Sequence, residues 1–176
     1  MTADDTPPAG TVASAAPPLW LRIALVIVAA IETLNALSDF PGIFYEWNHT
    51  EPLVIFAQRL TTAKIALAPL FAGAALVYAS IARVRYAIAA LAVLALLRWL
   101  VEIPSLFIHG LELSATGPGL FMFAWWFIYP LIGVTALALA YRNRRLVLAG
   151  ALVSLPTLAG IAMVVIFAIG VMIYGF

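Results

Sequence analysis

Along the chain, long apolar runs are punctuated by short clusters of charge, proline and glycine. A hydrocarbon core about 30 Å thick takes about 20 residues of helix to cross, at a rise of about 1.5 Å per residue. Five runs meet that requirement, at 19–38, 53–81, 86–103, 118–141 and 146–174. They are continuously apolar and rich in Ala and Leu, whereas strands of a membrane barrel alternate over about ten residues. The pattern therefore predicts an all-α, polytopic integral membrane protein, a bundle of five transmembrane helices with short loops over 19–176. Residues 1–18 contain four prolines and no aromatic side chain. They have no face to bury and are expected to form a disordered cytoplasmic tail. Asp4 and Asp5 stand where a cleavable leader carries basic residues, so the first run is expected to remain as a helix.

Composition reinforces this reading. Hydrophobic residues make up 65% of the 176, charged residues only 10%, and mean hydropathy is +1.10. A soluble domain has about 25% charged residues. Net charge is +1 with no Lys/Arg-rich run, which excludes nucleic acid as a partner. The absence of cysteine removes disulfides, thiolate catalysis, iron–sulfur ligation and the common zinc sites.

The cations order the spans. Arg22 flanks the first, Arg83 and Arg85 fill the turn after the second, and Arg142, Arg144 and Arg145 fill the turn after the fourth. By the positive-inside rule these sites are cytoplasmic, with the N-terminus on their side and the C-terminus outside. Short basic turns and an Ala-rich composition fit a bacterial inner membrane. The basic turns and the prolines at 69, 130 and 156 are compatible with duplication, but five spans do not divide into inverted halves, and no repeat is assigned.

Arg59, Lys64 and Arg98 lie within spans, where a charge costs about 2.5–3.5 kcal/mol unless it finds a partner or water. Glu32, Asn35 and Asp39 are spaced i, i+3, i+7 and project within about 60° of one another. Arg98, Glu102, Ser105 and His109 fall on one face if the third helix runs through Pro104. If Pro104 ends that helix, only the Arg98–Glu102 pair keeps its geometry. Arg59 and Lys64 are about 140° apart on the helical wheel and cannot point at one spot. Lys64 is the deeper, and its expected partner is Glu32, the deepest acid.

These residues suit two readings: buried ion pairs that fix helix packing, or an outward-facing polar pocket. Trp125 and Trp126 lie about 11 Å into the fourth span, near the depth of Glu32 and Arg98, and could wall such a pocket. The expected ligand site is thus Glu32, Asn35, Asp39, Arg59, Lys64, Arg98, Glu102, His109, Trp125 and Trp126.

Asn48-His49-Thr50 matches a glycosylation acceptor, but its closeness to the membrane argues for chance. His49 with Glu51 and His109 with Glu112 read as solvated loop residues, and neither a metal nor another cofactor is expected. The fifth span has no charge, and its glycines at 150, 160 and 170 are about 80° out of phase from one to the next. Its surface suits lipid or a membrane-protein partner docked through 146–174.

Hydrolase, zinc-protease, phosphate-loop and dinucleotide signatures are absent. The leading expectation is a small multi-pass protein that binds or transports a small polar or amphipathic ligand, an anionic one included. The alternatives are an accessory subunit whose charges are structural, and a membrane enzyme using Glu102 and His109 as acid and base on a lipid-soluble substrate.

Overall fold

The computed structural model describes residues 17–44, 51–109 and 118–175, with side chains omitted at 105, 106, 108, 109 and 118–125. The expected tail up to residue 16 and most of the loop after the first helix lie outside the described residues. Within them the chain is helical: α1 (Leu19–Asp39), the 3₁₀ turn η1 (Phe40–Phe44), α2 (Pro52–Ser80), α3 (Val84–His109), α4 (Pro118–Tyr141) and α5 (Leu146–Tyr174). Each expected span coincides with a helix, and α3 continues through Pro104, which settles the alternative at that residue. Four helices are long and apolar enough to cross a membrane; α4 contributes a shorter apolar stretch, Trp126–Tyr141.

Small residues draw the helices together. On α2 the buried positions are Ala68, Ala72, Ala75 and Ala79, a seam at spacings of four and three that lets neighbouring backbones approach closely. The main core joins Leu21, Leu25 and Val28 of α1 to Ile88 and Leu91 of α3 and Val153 of α5. Among the described residues α3 is the central element, touching α1, α2, α4 and α5, while α1 lies between α2 and α5. A Cβ on Gly150 would come within 2.6 Å of Leu21 Cδ1, and one on Gly133 within 2.7 Å of Leu96 Cγ, so a larger residue at either position would force a leucine of the facing helix to shift. Gly160 and Gly170 face open space, in keeping with the lack of a shared glycine face on α5.

The two basic turns begin in the same way, although the second is one residue longer and holds a further left-handed residue, Arg145 at φ 46°. Ala82 and Asn143 are left-handed at φ 61° and 51°. In each turn the next residue donates its N–H back five positions, from Arg83 to the Tyr78 carbonyl at 2.8 Å and from Arg144 to the Leu139 carbonyl at 3.0 Å. Pro69 and Pro130 each precede the left-handed residue by thirteen positions. Ala72, Ala75 and Ala79 are buried in step with Gly133, Ala136 and Ala140. Ala87, Ile88, Leu91, Ala92, Leu94 and Ala95 are likewise buried in step with Ala149, Gly150, Val153, Ser154, Pro156 and Thr157. The burial pattern of α2–α3 thus recurs in α4–α5, offset by 61 residues before the turn and 62 after it, with α1 outside the recurrence. The sequence reading assigned no repeat because it sought inverted halves; the shared register lies in alanines that carry little signal as residue types. Arg22 fixes α1 to this end, donating from Nε to the Ala79 carbonyl at 3.2 Å, which also accepts from the Ala82 N–H at 3.2 Å, and from Nη2 to the Ser80 carbonyl in the last turn of α2.

Candidate functional site

Leu21, Leu25, Val28, Glu32 and Ala36 are buried at spacings of three or four, so Glu32 occupies a core position of α1. Its side chain enters the bundle between α3 and α5 and is only 3% exposed. Arg98 of α3 donates from Nη2 to Glu32 Oε2, and Thr157 of α5 donates from Oγ1 to Glu32 Oε1 at 2.5 Å. One carboxylate thus ties three helices, with both oxygens accepting. Among the described residues no buried side-chain nitrogen or oxygen lacks a hydrogen bond.

Thr157 is 8% exposed and lies beside Pro156, on the side of α5 that faces α1 and α3. The neighbouring Ser154 turns its hydroxyl back on the Gly150 carbonyl at 2.8 Å, whereas Thr157 reaches across to α1. Sequence reasoning missed Thr157 because it scored α5 by its lack of charge. A usable signal was the Ser154/Thr157 pair at i, i+3 beside a proline in an otherwise apolar helix.

The triad borders two spaces. Towards the Arg-rich end is a void of about 10 Å³ lined by Glu32, Arg98, Thr157 and apolar side chains, the size of about one water. On the other side is a pocket of about 400 Å³ lined by Glu32, Asn35, Arg98, Tyr129 and Thr157 together with apolar residues including Ile31, Ile161, Val164 and Val165. Glu32, Asn35 and Arg98 come from α1 and α3, while Tyr129 comes from α4 and Thr157 from α5. The opposing wall comes from α5, where residues 161–169 are all exposed.

The expected site residues divide. Glu32, Asn35 and Arg98 meet at the pocket. Asp39 and Lys64 form a separate pair, Nζ to Oδ2 at 3.7 Å, with side chains 55% and 25% exposed. The expected pairing of Lys64 with Glu32 is thereby corrected, and register explains why. Ala36 packs among Ala68 and Ala72 in antiparallel helices, so the turn of α1 beyond Ala36, which ends at Asp39, meets the turn of α2 before Ala68, which holds Lys64. The Arg98–Glu102 pair is also corrected: Arg98 turns into the bundle to Glu32, and Glu102 one turn later is exposed. Arg59 is exposed and does not line this pocket.

Trp126 is a joint between helices rather than the wall expected of it. Its ring packs at a tilt against Trp99, with centroids 5.7 Å apart and planes at 57°, and Trp99 Nε1 donates to the Trp126 carbonyl at 3.0 Å. Tyr129, three residues on, supplies the aromatic lining instead. The side chains of Trp125 and His109 lie outside the described residues, as does any acid–base geometry of Glu102 with His109. Among the described residues no group of three or more His, Asp or Glu side chains could hold a metal ion. The site offers a compensated charge pair, neutral hydrogen-bonding groups and an apolar wall. Comparison with protein-family models, curated proteins and solved structures finds no match to this chain, so its reading rests on that geometry.

Proposed function

We propose that this chain is a five-helix integral membrane protein that binds a small polar or amphipathic molecule in the pocket beside Glu32 and Arg98. At 24 residues α4 is about 36 Å long, enough for the fifth crossing. The Arg-rich end takes the cytoplasmic side by the positive-inside rule, the pocket belongs to the outer half, and a bacterial inner membrane suits the composition. The observation that carries this reading is that the buried Glu32–Arg98 pair borders an open pocket of about 400 Å³, within the usual range for small-molecule sites. Glu32 itself is sealed in the bundle, but the Arg98 side chain stays 28% exposed and can be reached from the pocket. Binding is favoured over transport because the path towards the Arg-rich end narrows to the small void and then meets Leu25, Val28, Ile88 and Leu91 of the core.

Native mass spectrometry of the gently solubilised protein tests the proposal, with Gly160→Phe as the comparison. A Cβ at Gly160 meets nothing within 4 Å, so the phenyl ring enters the pocket without displacing the backbone. A small-molecule adduct present in wild type and lost in Gly160→Phe, at unchanged melting temperature, is the expected result. An adduct retained by the variant would place the ligand elsewhere. The exposed run 161–169 of α5 supports a second reading, an accessory subunit docked on another membrane protein through 146–174. That reading gains if wild type carries a stoichiometric protein partner and no small molecule.

A further inference from the structure

The pocket's charge balance and its place in the bundle together narrow its occupant. We infer that the ligand is an amphiphile with an uncharged hydrogen-bonding head, such as a long-chain alcohol or a monoacylglycerol, and that it enters from the bilayer between α1 and α5. The inference rests on the pocket proposed above and names the class of molecule that fills it.

Among the described residues the charged groups lining the pocket are Glu32 and Arg98, and they already neutralise each other. An ionised ligand would leave one charge uncompensated in a space bounded by helices and hydrocarbon, where water cannot screen it. The other cations expected to attract an anion are elsewhere: Lys64 is paired with Asp39, and Arg59 is exposed away from the pocket.

What the lining does offer is neutral bonding capacity. The Asn35 side-chain amide has no hydrogen-bond partner among the described residues, and Arg98 has guanidinium N–H groups beyond the one given to Glu32. A hydroxyl head can accept from these and donate to Asn35 Oδ1, and an ester oxygen can accept from them, in neither case adding charge.

Depth favours a small head. Glu32 lies seven residues before the end of α1, about 10 Å below that end by the helical rise. A phospholipid phosphate stays at the headgroup level and cannot descend that far, whereas an alcohol or glycerol head can.

The route follows from α5. Its buried positions end at Thr157, and the wall residues Ile161, Val164 and Val165 are themselves 38%, 67% and 49% exposed. No helix of this chain covers them among the described residues, so the pocket's flank faces the hydrocarbon, and an acyl chain can lie along it while its head reaches Asn35 and Arg98.

The test uses full-length protein in detergent and probes that share one C18 chain. Oleyl alcohol, monoolein, oleate at pH 8 and oleylamine at pH 7 are each titrated and followed by native mass spectrometry. One molecule of oleyl alcohol or monoolein should bind wild type, at least tenfold more tightly than oleate or oleylamine, and be lost in Gly160→Phe. Equal or tighter binding of oleate overturns the uncharged head while leaving the pocket in place. No probe bound, or equal binding to Gly160→Phe, overturns the pocket with it. Glu32→Gln keeps an acceptor for Thr157 and leaves Arg98 uncompensated, so it should reverse the preference towards oleate by at least tenfold. A folded Glu32→Gln protein that still prefers the alcohol contradicts the charge-balance argument, and the wild-type series decides the matter alone if that variant does not fold.

Discussion

At Glu32 a core position of α1 is occupied by a carboxylate, and its neighbours determine what removing either partner costs. Arg98→Leu strands a buried anion and should destabilise the protein by about 3–5 kcal/mol, whereas Glu32→Leu combined with Arg98→Leu should recover most of that loss. Reversible unfolding in mixed micelles measures both, and a double variant no better than Arg98→Leu would refute the assignment. Thr157→Val keeps the shape and removes one donor to Glu32, for an expected loss of about 1 kcal/mol. Lys64→Met is the contrast: its pair with Asp39 is 3.7 Å long and half in the open, so the loss should be about 0–1 kcal/mol. The sequence located Glu32 and Arg98 because intramembrane charge is rare and must be explained. It mispaired them because helical wheels give the face of each residue but not the register between helices, which is set by alanine contacts such as Ala36 with Ala68.

Helices are where the sequence is most legible, since a span declares itself by length and hydropathy and its ends by the arginines and prolines that follow. The bounds of α4 and α5 coincide with the apolar runs, and those of α1 and α2 differ from them by one residue. The turns and prolines hinted at duplication, but the recurrence of the α2–α3 burial pattern in α4–α5 was not legible, because it relies largely on Ala, Gly and Ser, residue types that sit on any face of a membrane helix. The shared turn yields a prediction of its own. Ala82 is left-handed at φ 61°, a conformation that costs a residue with a Cβ about 1 kcal/mol or more, while the equivalent Asn143 tolerates it better. Ala82→Gly should therefore stabilise the protein by up to about 1 kcal/mol, against the usual cost of introducing glycine, and Asn143→Gly should gain less. Thermal melts of the two variants side by side decide this; a destabilised Ala82→Gly would mean that the turn relaxes without strain.

For the molecule as a whole, the distribution of charge and the distribution of open space are complementary. Six arginines gather at the end where α1 starts and both hairpins turn, and the described acids Glu32, Asp39, Glu51 and Glu102 all lie towards the other end. The pocket opens in that acidic half, while the Arg-rich half is filled by the main core. Such an asymmetry suits a protein held with one orientation in the bilayer, and the proposed orientation can be tested directly. The chain contains no cysteine, so single cysteines can report that orientation without background labelling. Glu51→Cys, just before α2, should react with a membrane-impermeant maleimide in intact spheroplasts. Asn143→Cys, in the turn before α5, should react only after permeabilisation. The opposite labelling would turn the protein over, placing the pocket in the cytoplasmic leaflet. Equal labelling of both in intact spheroplasts would mean that α2, α3 and α4 do not carry the chain across an odd number of times, and α4 would then lose its place as the fifth span.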